Sequence, residues 1–372
     1  MVKFSEQPLK LIASASILPG PPVTNEQLFA ALVSRCSARS AKSKVRRAKA
    51  IARRLAITHR HLTRNLHTVV CQLSPDAPEL GVQVLSSMLG ERQLDVQDID
   101  YLITHTATPH TQIPGNSAWI ADRIGLHNPH MELRQACTGF ANALFIASGL
   151  PGTTNSINTV AVCGMEVGSV FFELADHFLD EEQLLNYMQM GDGAGGVLLA
   201  ACDSGVESKT GNGRRGNLQS GGIISDIYFG HIGVGRDPGF HLAGAGSSDI
   251  IDHSRGVPHF RHNGAMVKEH GADLFLTAIQ CINERGYSLH ELDWILPHQA
   301  NGRIGQMLSR ETGIAAGKFV VDAGELGNLG SAAIWVSFDR LIRSGKLKRG
   351  QKLLVLGAEA TKYMYGGFIY QH

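Results

Sequence analysis

The chain has 372 residues, of which 43% are hydrophobic and 18% are charged, and 42 of them are glycine. A chain of this length can bury a sizeable core, and it predicts two domains or one large duplicated unit. The net charge of +1 at pH 7 does not indicate a nucleic-acid-binding protein. Because no apolar run of about 18 residues occurs and the first residues lack the layout of a signal peptide, we expect a soluble, cytoplasmic protein away from membranes.

Short apolar runs alternate with longer helical patterns along the chain. The runs that predict buried strands are LKLIASASIL, IDYLITHTA, TVAVCGME, GGVLLAACD, GGIISDIYF, LDWILPH and KLLVLGAEA. The helical patterns include APELGVQVLSSMLGE, SAWIADRIGL, ADLFLTAIQCINERG and SAAIWVSFDRLIRSG. This alternation is typical of the α/β class, with parallel sheets covered on both faces. It occurs twice, so we predict two duplicated halves, 1–202 and 220–372, joined by an exposed loop rich in Gly, Ser, Asn and Arg.

A basic stretch lies near the start of the chain. Between Arg35 and Arg64 there are eleven Lys or Arg residues and no acidic residue. Apolar residues recur within it at helical spacing, which predicts a helix with an outward basic face. That face is either simply solvated or a docking patch for a phosphate-bearing or acidic partner. Since no aromatic residue is interleaved from Lys42 to Arg54, base stacking on a nucleic acid is not expected.

The segment LRQACTGFANALFIASGL places Cys137 at the start of an apolar helical pattern. The six cysteines of the chain show no CxxC spacing, so we expect neither a zinc site nor a disulfide framework. A helix N-terminus lowers the pKa of a thiol, and this predicts that Cys137 is a nucleophile, although a structural cysteine is the alternative. Gly139 costs about 1 kcal/mol relative to Ala inside a helix, so we expect a close packing contact there.

Two later segments place polar residues at similar junctions. WILPHQANGRIGQML has His298 directly after an apolar strand, and GELGNLGSAAIWVSF has Asn328 between two glycines before an apolar helix. In α/β folds, strand-to-helix junctions lie at the carboxyl ends of the strands, where ligands bind. Histidine moves protons near neutral pH, and asparagine donates hydrogen bonds to a developing oxyanion. Together with Cys137, these residues predict one catalytic site.

The blocks ACTGF, PHQANGRI and GNLGSA, in this order, resemble the active-site signatures of type III β-ketoacyl-acyl-carrier-protein synthases. The resemblance extends over most of the chain, from SILPGPPVTNEQL to NGAMVKEHGADLF and beyond. It implies a thiolase-like fold, in which two duplicated βαβ-type halves form a layered α-β-α-β-α sandwich. It also implies that Cys137 accepts an acyl group from acyl-CoA. His298 and Asn328 would then stabilise the enolate formed when a malonyl thioester, carried by acyl carrier protein, loses carbon dioxide.

The resemblance implies further features of the site. Coenzyme A thioesters are substrates, and neither a metal nor another cofactor is expected. Family members are homodimers or paired heterodimers, and we expect a homodimer, with a heterodimer left open. Ile113 would reach into the partner's acyl pocket, although a core position is the alternative for this residue. The residues expected to bind substrate are Ile113, Phe140, Asn301, Arg303 and Lys362, and those expected to dock coenzyme A or the carrier protein are Lys44, Arg46, Arg47 and Arg53.

One segment departs from the family pattern. Glu359, Ala360, Thr361 and Lys362 stand where relatives have a glycine-rich turn that supplies an oxyanion donor. A positive φ would be strained at these residues, so whether this turn still supplies an oxyanion donor is left open. A role for Lys362 or Lys44 in binding an acidic acyl group is an additional hypothesis. Three other functions also remain open: acyl transfer to an oxygen or nitrogen nucleophile, a cysteine hydrolase, and a non-catalytic subunit of a ketosynthase heterodimer.

Overall fold

The computed structural model describes residues 2–66, 73–151, 157–176, 178–202, 221–244, 246 and 258–372. The loop that the sequence predicts between the two halves lies outside the described residues. Among the described helices, none is long and apolar enough to cross a membrane.

The described strands and helices follow the predicted alternation. The strands are β1 (Lys3–Phe4), β2 (Leu9–Ile17), β3 (Val23–Thr24), β4 (His59–Arg60), β5 (Tyr101–His105), β6 (His130–Leu133), β7 (Thr159–Val167), β8 (Asp192–Ala201), β9 (Gly222–His231), β10 (Phe240–Ala243), β11 (His259–His262), β12 (Trp294–Pro297), β13 (Lys352–Glu359) and β14 (Met364–Gln371). The helices are α1 (Asn25–Arg35), α2 (Ala38–Leu55), α3 (Ala77–Arg92), α4 (Asn116–Ile124), α5 (Gly139–Gly149), α6 (Glu181–Gln189), α7 (Gly264–Glu284), α8 (Ile304–Thr312), α9 (Ala323–Leu326) and α10 (Ala333–Arg343).

The strands form one large sheet in the order β12-β13-β14-β9-β2-β8-β7-β5-β6, with β1 beside β9. Only the pairs β12–β13, β7–β5 and β5–β6 are parallel, and the other pairs along this order are antiparallel. The prediction of wholly parallel sheets is therefore wrong. A strand buried on both faces shows a continuous apolar run whatever its direction. Moreover, β14 follows β13 after a four-residue turn, which is too short for a parallel crossover.

The sheet repeats one topology twice. Outward from β2, the successive pairs β2–β8 and β8–β7 are antiparallel, and the next pair, β7–β5, is parallel. From β9 outward, the pairs with β14, β13 and β12 follow the same sequence of directions. The counterpart of β6 is a single parallel bridge between Ile295 and Phe319. The two runs meet where β2 pairs with β9, so the duplication is visible in the topology. The boundaries at 202 and 220 stay predictions.

Two helices lie between the two runs of strands. Helix α5 contacts β5 and β7 of the first run and β9 and β14 of the second. Helix α10 contacts β2 and β8 of the first run and β12 of the second. On the outer faces, α3 packs on β2, β8 and β7, and α7 packs on β13 and β14. The layers are therefore α-β-α-β-α, as the thiolase-like fold requires, and the segments that precede α5 and α10 meet in the middle of the molecule.

Candidate active site

A cavity of about 380 Å³ is lined by Cys137, His298 and Asn328 together. Cys137 lies between β6 and α5, His298 directly follows β12, and Asn328 lies between α9 and α10. The structure thus brings the three residues predicted from separate segments into the lining of one cavity. Their catalytic roles remain predictions.

Two carboxylates surround the Cys137 thiol. Glu359 accepts hydrogen bonds from the Thr138 backbone N–H and from Thr138 Oγ1, both at 2.8 Å. Burial raises the pKa of the Cys137 thiol well above its usual value, and the charges of Glu359 and Glu166 raise it further. The hydrogen bond from the backbone N–H of Cys137 lowers this pKa, but burial and the two carboxylates outweigh it, so the net shift is opposite to the expected one. The N–H of Thr138 points to Glu359, and no Lys, Arg or His among the described residues contributes a lowering charge.

The close contact expected at Gly139 is with a buried histidine. A Cβ atom at Gly139 would lie 2.4 Å from His105 Nδ1, and one at Gly164 would lie 2.5 Å from His105 Nε2. The indole N–H of Trp335 donates to His105 Nε2 at 2.9 Å, so the ring is held in place. Only glycine fits on either side of this ring, and the start of α5 can therefore approach β5 and β7 closely.

His298 is held at the carboxyl end of β12. Its backbone N–H donates to the carbonyl of Leu356 on β13 at 2.7 Å, and its side chain is buried. Burial lowers the pKa of His298 to about 4, so the imidazole is neutral at neutral pH. Its Nδ1 atom is buried without a hydrogen-bond partner among the described residues. A neutral ring of this kind can donate or accept one hydrogen bond in the cavity.

Asn328 is fixed by its backbone and by one side-chain bond. Its N–H donates to Gln189 O at 2.8 Å, and its carbonyl accepts from Gly191 N at 3.0 Å. The Gly330 N–H donates to Asn328 Oδ1 at 3.0 Å. Because Oδ1 is already used as an acceptor, the amide NH2 group is the part of this side chain left to donate to a ligand.

Glu166 is a buried carboxylate on the cavity wall that the sequence motifs did not predict. It accepts hydrogen bonds from Thr108 Oγ1 and from both the backbone N–H and Oγ of Ser331. Burial raises the pKa of Glu166. A signal for it is present in the sequence, because Glu166 is the penultimate residue of the strand TVAVCGMEV, in which every other residue is uncharged. Buried carboxylates of this kind are rare unless they have partners.

The rest of the cavity wall is mostly apolar. Its large apolar side chains are Leu55, Leu185, Met190, Phe240, Phe260, Val267, Leu274, Phe275 and Ile304. Arg54 is the one Lys or Arg side chain on this wall within the described ranges. The sequence places Arg54 on the outward face of the basic helix but does not distinguish it from its neighbours. Its position at the cavity follows from the docking of α2.

Several residues predicted to bind substrate lie away from this cavity. Phe140 is fully buried in the core, with its ring against Trp335 and Phe368. Ile113 is 87% exposed in the loop between β5 and α4. Lys362 is exposed and donates to the carbonyl of Arg236. None of these three side chains lines the cavity of its own chain.

The segment after His298 contacts the end of α2. Arg303 donates to the carbonyls of Arg53 and Arg54, each at 3.1 Å, and Asn301 Oδ1 accepts from the Arg303 N–H. Asn301 and Arg303 therefore connect the His298 segment to the basic helix rather than line the cavity. This contact sets the last turn of α2 beside the site, which explains why Arg54 reaches it.

The residues predicted to dock coenzyme A or a carrier protein lie on α2. Arg46, Arg47 and Arg53 are exposed. Lys44 instead pairs with Asp176, with 3.0 Å between Nζ and Oδ1, and also donates to the Asp176 carbonyl. Lys44 is thus engaged within the chain, whereas the three arginines face solvent.

The turn that replaces the family's glycines joins β13 to β14, and Glu359, Ala360 and Thr361 line the cavity. None of the residues from Glu359 to Lys362 has a positive φ, and the left-handed residue of the turn is Tyr363, at +56°. The backbone strain expected in a turn without glycine is therefore at Tyr363, not at the four residues 359–362. Within the described residues, no group of three or more His, Cys, Asp or Glu is arranged to hold a metal ion.

Comparison with known proteins gives a consistent family assignment. Residues 131–212 match the family model described as 3-oxoacyl-[acyl-carrier-protein (ACP)] synthase III, and residues 282–371 match the model of its C-terminal part. The beta-ketoacyl-[acyl-carrier-protein] synthase III of Neisseria gonorrhoeae is 30% identical over 283 residues, which are 75% of this chain and 79% of that protein. The chain belongs to the type III β-ketoacyl-acyl-carrier-protein synthase family. It is accordingly a condensing enzyme of the transferase class.

Solved structures agree on the fold. The tetronic acid condensing enzyme AbyA1 superimposes with a TM-score of 0.76 at 23% identity, over 98% of this chain and 100% of that one. A variant of OleA from Xanthomonas campestris has a TM-score of 0.76 at 16% identity, over 99% of this chain and 97% of that one. At these identities the similarity supports the thiolase-like fold alone.

Proposed function

We propose that this protein catalyses a decarboxylative Claisen condensation between an acyl group carried by Cys137 and a malonyl thioester on acyl carrier protein. The observation that carries the proposal is the single cavity lined by a thiol, a neutral imidazole and an amide donor. These groups match the needs of the reaction, in which a thioester forms and negative charge then develops on a carbonyl oxygen.

In the first step, Cys137 Sγ attacks the carbonyl carbon of acyl-CoA. The new C–S bond forms as the bond to the coenzyme A sulfur breaks, and the thiol proton passes to the leaving coenzyme A thiolate. Because burial keeps the Cys137 thiol protonated at neutral pH, the proton must leave during the attack. His298 is neutral, and its ring nitrogen would relay this proton to the coenzyme A thiolate.

In the second step, the malonyl thioester loses carbon dioxide. The electron pair of the broken C–C bond forms an enolate, whose oxygen accepts hydrogen bonds from His298 and from the Asn328 amide. The enolate carbon then attacks the Cys137 thioester carbon, and the new C–C bond forms as the bond to Cys137 Sγ breaks. The Cys137 thiolate leaves with the electron pair and takes up a proton from solvent. Removal of one such donor typically costs about 3 kcal/mol, or a hundredfold or more in rate.

The exposed arginines of α2 support a docking role for this helix. Arg54 is on the cavity wall, and Arg46, Arg47 and Arg53 are exposed on the same helix. The phosphates of coenzyme A or the acidic surface of a carrier protein would bind there, and this binding would weaken with rising salt. No further cofactor is needed for the proposed chemistry.

We further propose a homodimer in which Ile113 of one subunit completes the acyl pocket of the other. Ile113 is a large apolar side chain that is 87% exposed in the described chain, which favours burial against a partner. Sedimentation of the purified protein tests the assembly state, and an Ile113→Asp variant is expected to weaken it. A monomer at micromolar concentration would contradict this proposal.

The experiment that tests the function combines two measurements on one sample. Intact mass is recorded after incubation with acetyl-, octanoyl- or malonyl-CoA, and carbon dioxide release is recorded after malonyl-carrier protein is added. The expected result is a mass gain that is absent in Cys137→Ala, followed by carbon dioxide release. Loading without carbon dioxide release would instead support acyl transfer to an oxygen or nitrogen nucleophile. The absence of any loading would contradict the covalent mechanism.

A further inference from the structure

The Glu359 carboxylate distinguishes this cavity. Glu359 is 2% exposed and ends β13, where it lines the same wall as Cys137. By the resemblance described above, it begins the segment that stands in place of the family's glycine-rich turn.

The hydrogen bonds to Glu359 suit an ionised carboxylate. It accepts from the backbone N–H and Oγ1 of Thr138, and Thr361 Oγ1 donates to its other oxygen. An ionised carboxylate accepts hydrogen bonds only, and three donors face this one. The charge therefore lies beside the residue that follows Cys137 in the chain.

Among the described residues that line the cavity, only Arg54 carries a positive charge at neutral pH. The charged or titratable side chains on the cavity wall, within the described part of the chain, are Arg54, Cys137, Glu166, Glu359, His262 and His298. Burial lowers the pKa of both histidines to about 4, so neither is cationic at neutral pH. Arg54 is exposed at the end of α2, where its charge is screened by solvent. Lys44 and Lys362, which the sequence offered as partners for an acidic acyl group, do not line the cavity.

We propose that Glu359 is a specificity-determining residue that restricts the acyl groups carried by Cys137 to uncharged ones. A carboxylate at the end of an acyl chain would have to enter an apolar cavity beside a like charge. Both the loss of hydration and the repulsion oppose that placement. The carboxyl group of a malonyl extender meets the same repulsion only until it leaves as carbon dioxide, and it is never carried by Cys137, so it is outside this selection of acyl groups.

The selection of acyl groups rests on the proposed function, whereas the electrostatic role of Glu359 can be tested without it. Iodoacetamide and iodoacetate have nearly the same size but differ by one negative charge. With either reagent, the Cys137 Sγ–CH2 bond forms as the C–I bond breaks. Iodide leaves with the electron pair, and the thiol proton passes to solvent. Because both reagents react with the same thiolate, the ratio of their rates is independent of the pKa of the thiol.

The experiment measures this rate ratio from the alkylated Cys137 peptide by mass spectrometry, at low ionic strength. The ratio of the iodoacetamide rate to the iodoacetate rate is expected to be about tenfold larger for Cys137 of the wild-type protein than for 2-mercaptoethanol, a neutral reference thiol. The variant Glu359→Gln, which keeps the shape and can keep the hydrogen bonds, is expected to return to within about twofold of 2-mercaptoethanol. Glu291→Gln, an exposed control at the opposite end of β12 from His298, is expected to behave like the wild type.

Three outcomes would overturn the proposal. A wild-type ratio equal to that of 2-mercaptoethanol would do so without any variant, so the test does not depend on the folding of Glu359→Gln. An unchanged ratio in folded Glu359→Gln would also do so. A change in Glu166→Gln alone would assign the effect to Glu166 instead.

A second experiment tests whether the charge of Glu359 also determines which acyl-CoA loads Cys137. Hexanoyl-CoA is expected to load wild-type Cys137 and glutaryl-CoA is not, whereas Glu359→Gln is expected to accept glutaryl as well. Equal loading of both by the wild type would overturn the selection of uncharged groups. If neither thioester loads, the proposed function fails, and the alkylation ratio still decides the role of Glu359.

Discussion

Replacement of Gly139 by alanine tests the central packing of the site. The added Cβ would lie 2.4, 2.8 and 2.9 Å from Nδ1, Cγ and Cβ of His105. The ring cannot move aside, because Gly164 packs on its other side and the Trp335 indole holds its Nε2 atom. Overpacking of this kind costs typically 1–3 kcal/mol or more, and the higher helix propensity of alanine returns at most about 1 kcal/mol. We therefore expect a net loss of about 2 kcal/mol.

Thermal unfolding measures this effect against a matched control. A loss of about 2 kcal/mol lowers Tm by several degrees in a chain of this size. Gly90→Ala, in α3, is the control because nothing lies within 4 Å of the added Cβ. There the helix propensity acts alone, so Tm is expected to rise slightly. If Gly139→Ala were as stable as wild type, the packing of His105 against α5 would be refuted.

The remaining predictions concern the catalytic groups and their support. Asn328→Ala is expected to slow carbon dioxide release by a hundredfold or more while Cys137 still acquires its acyl group, and equal losses in both steps would contradict the assigned role. Because burial lowers the pKa of His298 to about 4 from an ordinary value near 6.5, the imidazole stays neutral as the pH falls. Carbon dioxide release should persist to about pH 5.5, and a decline centred near pH 6.5 would argue against this. Gly330→Ala places a Cβ 2.3 Å from Glu166 Oε2 at a φ of +49°, so we expect a decrease in Tm larger than that of Gly139→Ala.

Much of the fold could be predicted because buried strands and amphipathic helices leave strong patterns. The seven apolar runs correspond to β2, β5, β7, β8, β9, β12 and β13. The strands that were not predicted carry weaker patterns. β6 has four residues and is partly exposed at the edge of the sheet. β14 contains two glycines, and a Cβ at Gly367 would lie 2.0 Å from the Val355 carbonyl oxygen. In the sequence, a glycine that is needed for such a close approach has the pattern of a turn residue, so β14 was not predicted as a strand.

The site shows the same division. Cys137, His298 and Asn328 could be found because each follows or precedes a recognisable element, and their spacing resembles that of a family. Arg54 could not be separated from its basic neighbours, because its place at the cavity depends on the contact between Arg303 and the end of α2. Likewise, the pairing of Lys44 with Asp176 joins residues 132 positions apart, which no local pattern reveals.

The sequence by itself determined the fold class, the family resemblance and the three residues that meet in the cavity, because these follow from local patterns and ordered motifs. The tertiary structure alone decided how those residues are charged. The thiol of Cys137 is surrounded by Glu166 and by Glu359, which bonds Thr138 across 221 positions of the chain, and burial keeps His298 neutral. Such effects depend on distance and solvent exposure in three dimensions, so no reading of the helix start around Cys137 could have anticipated them.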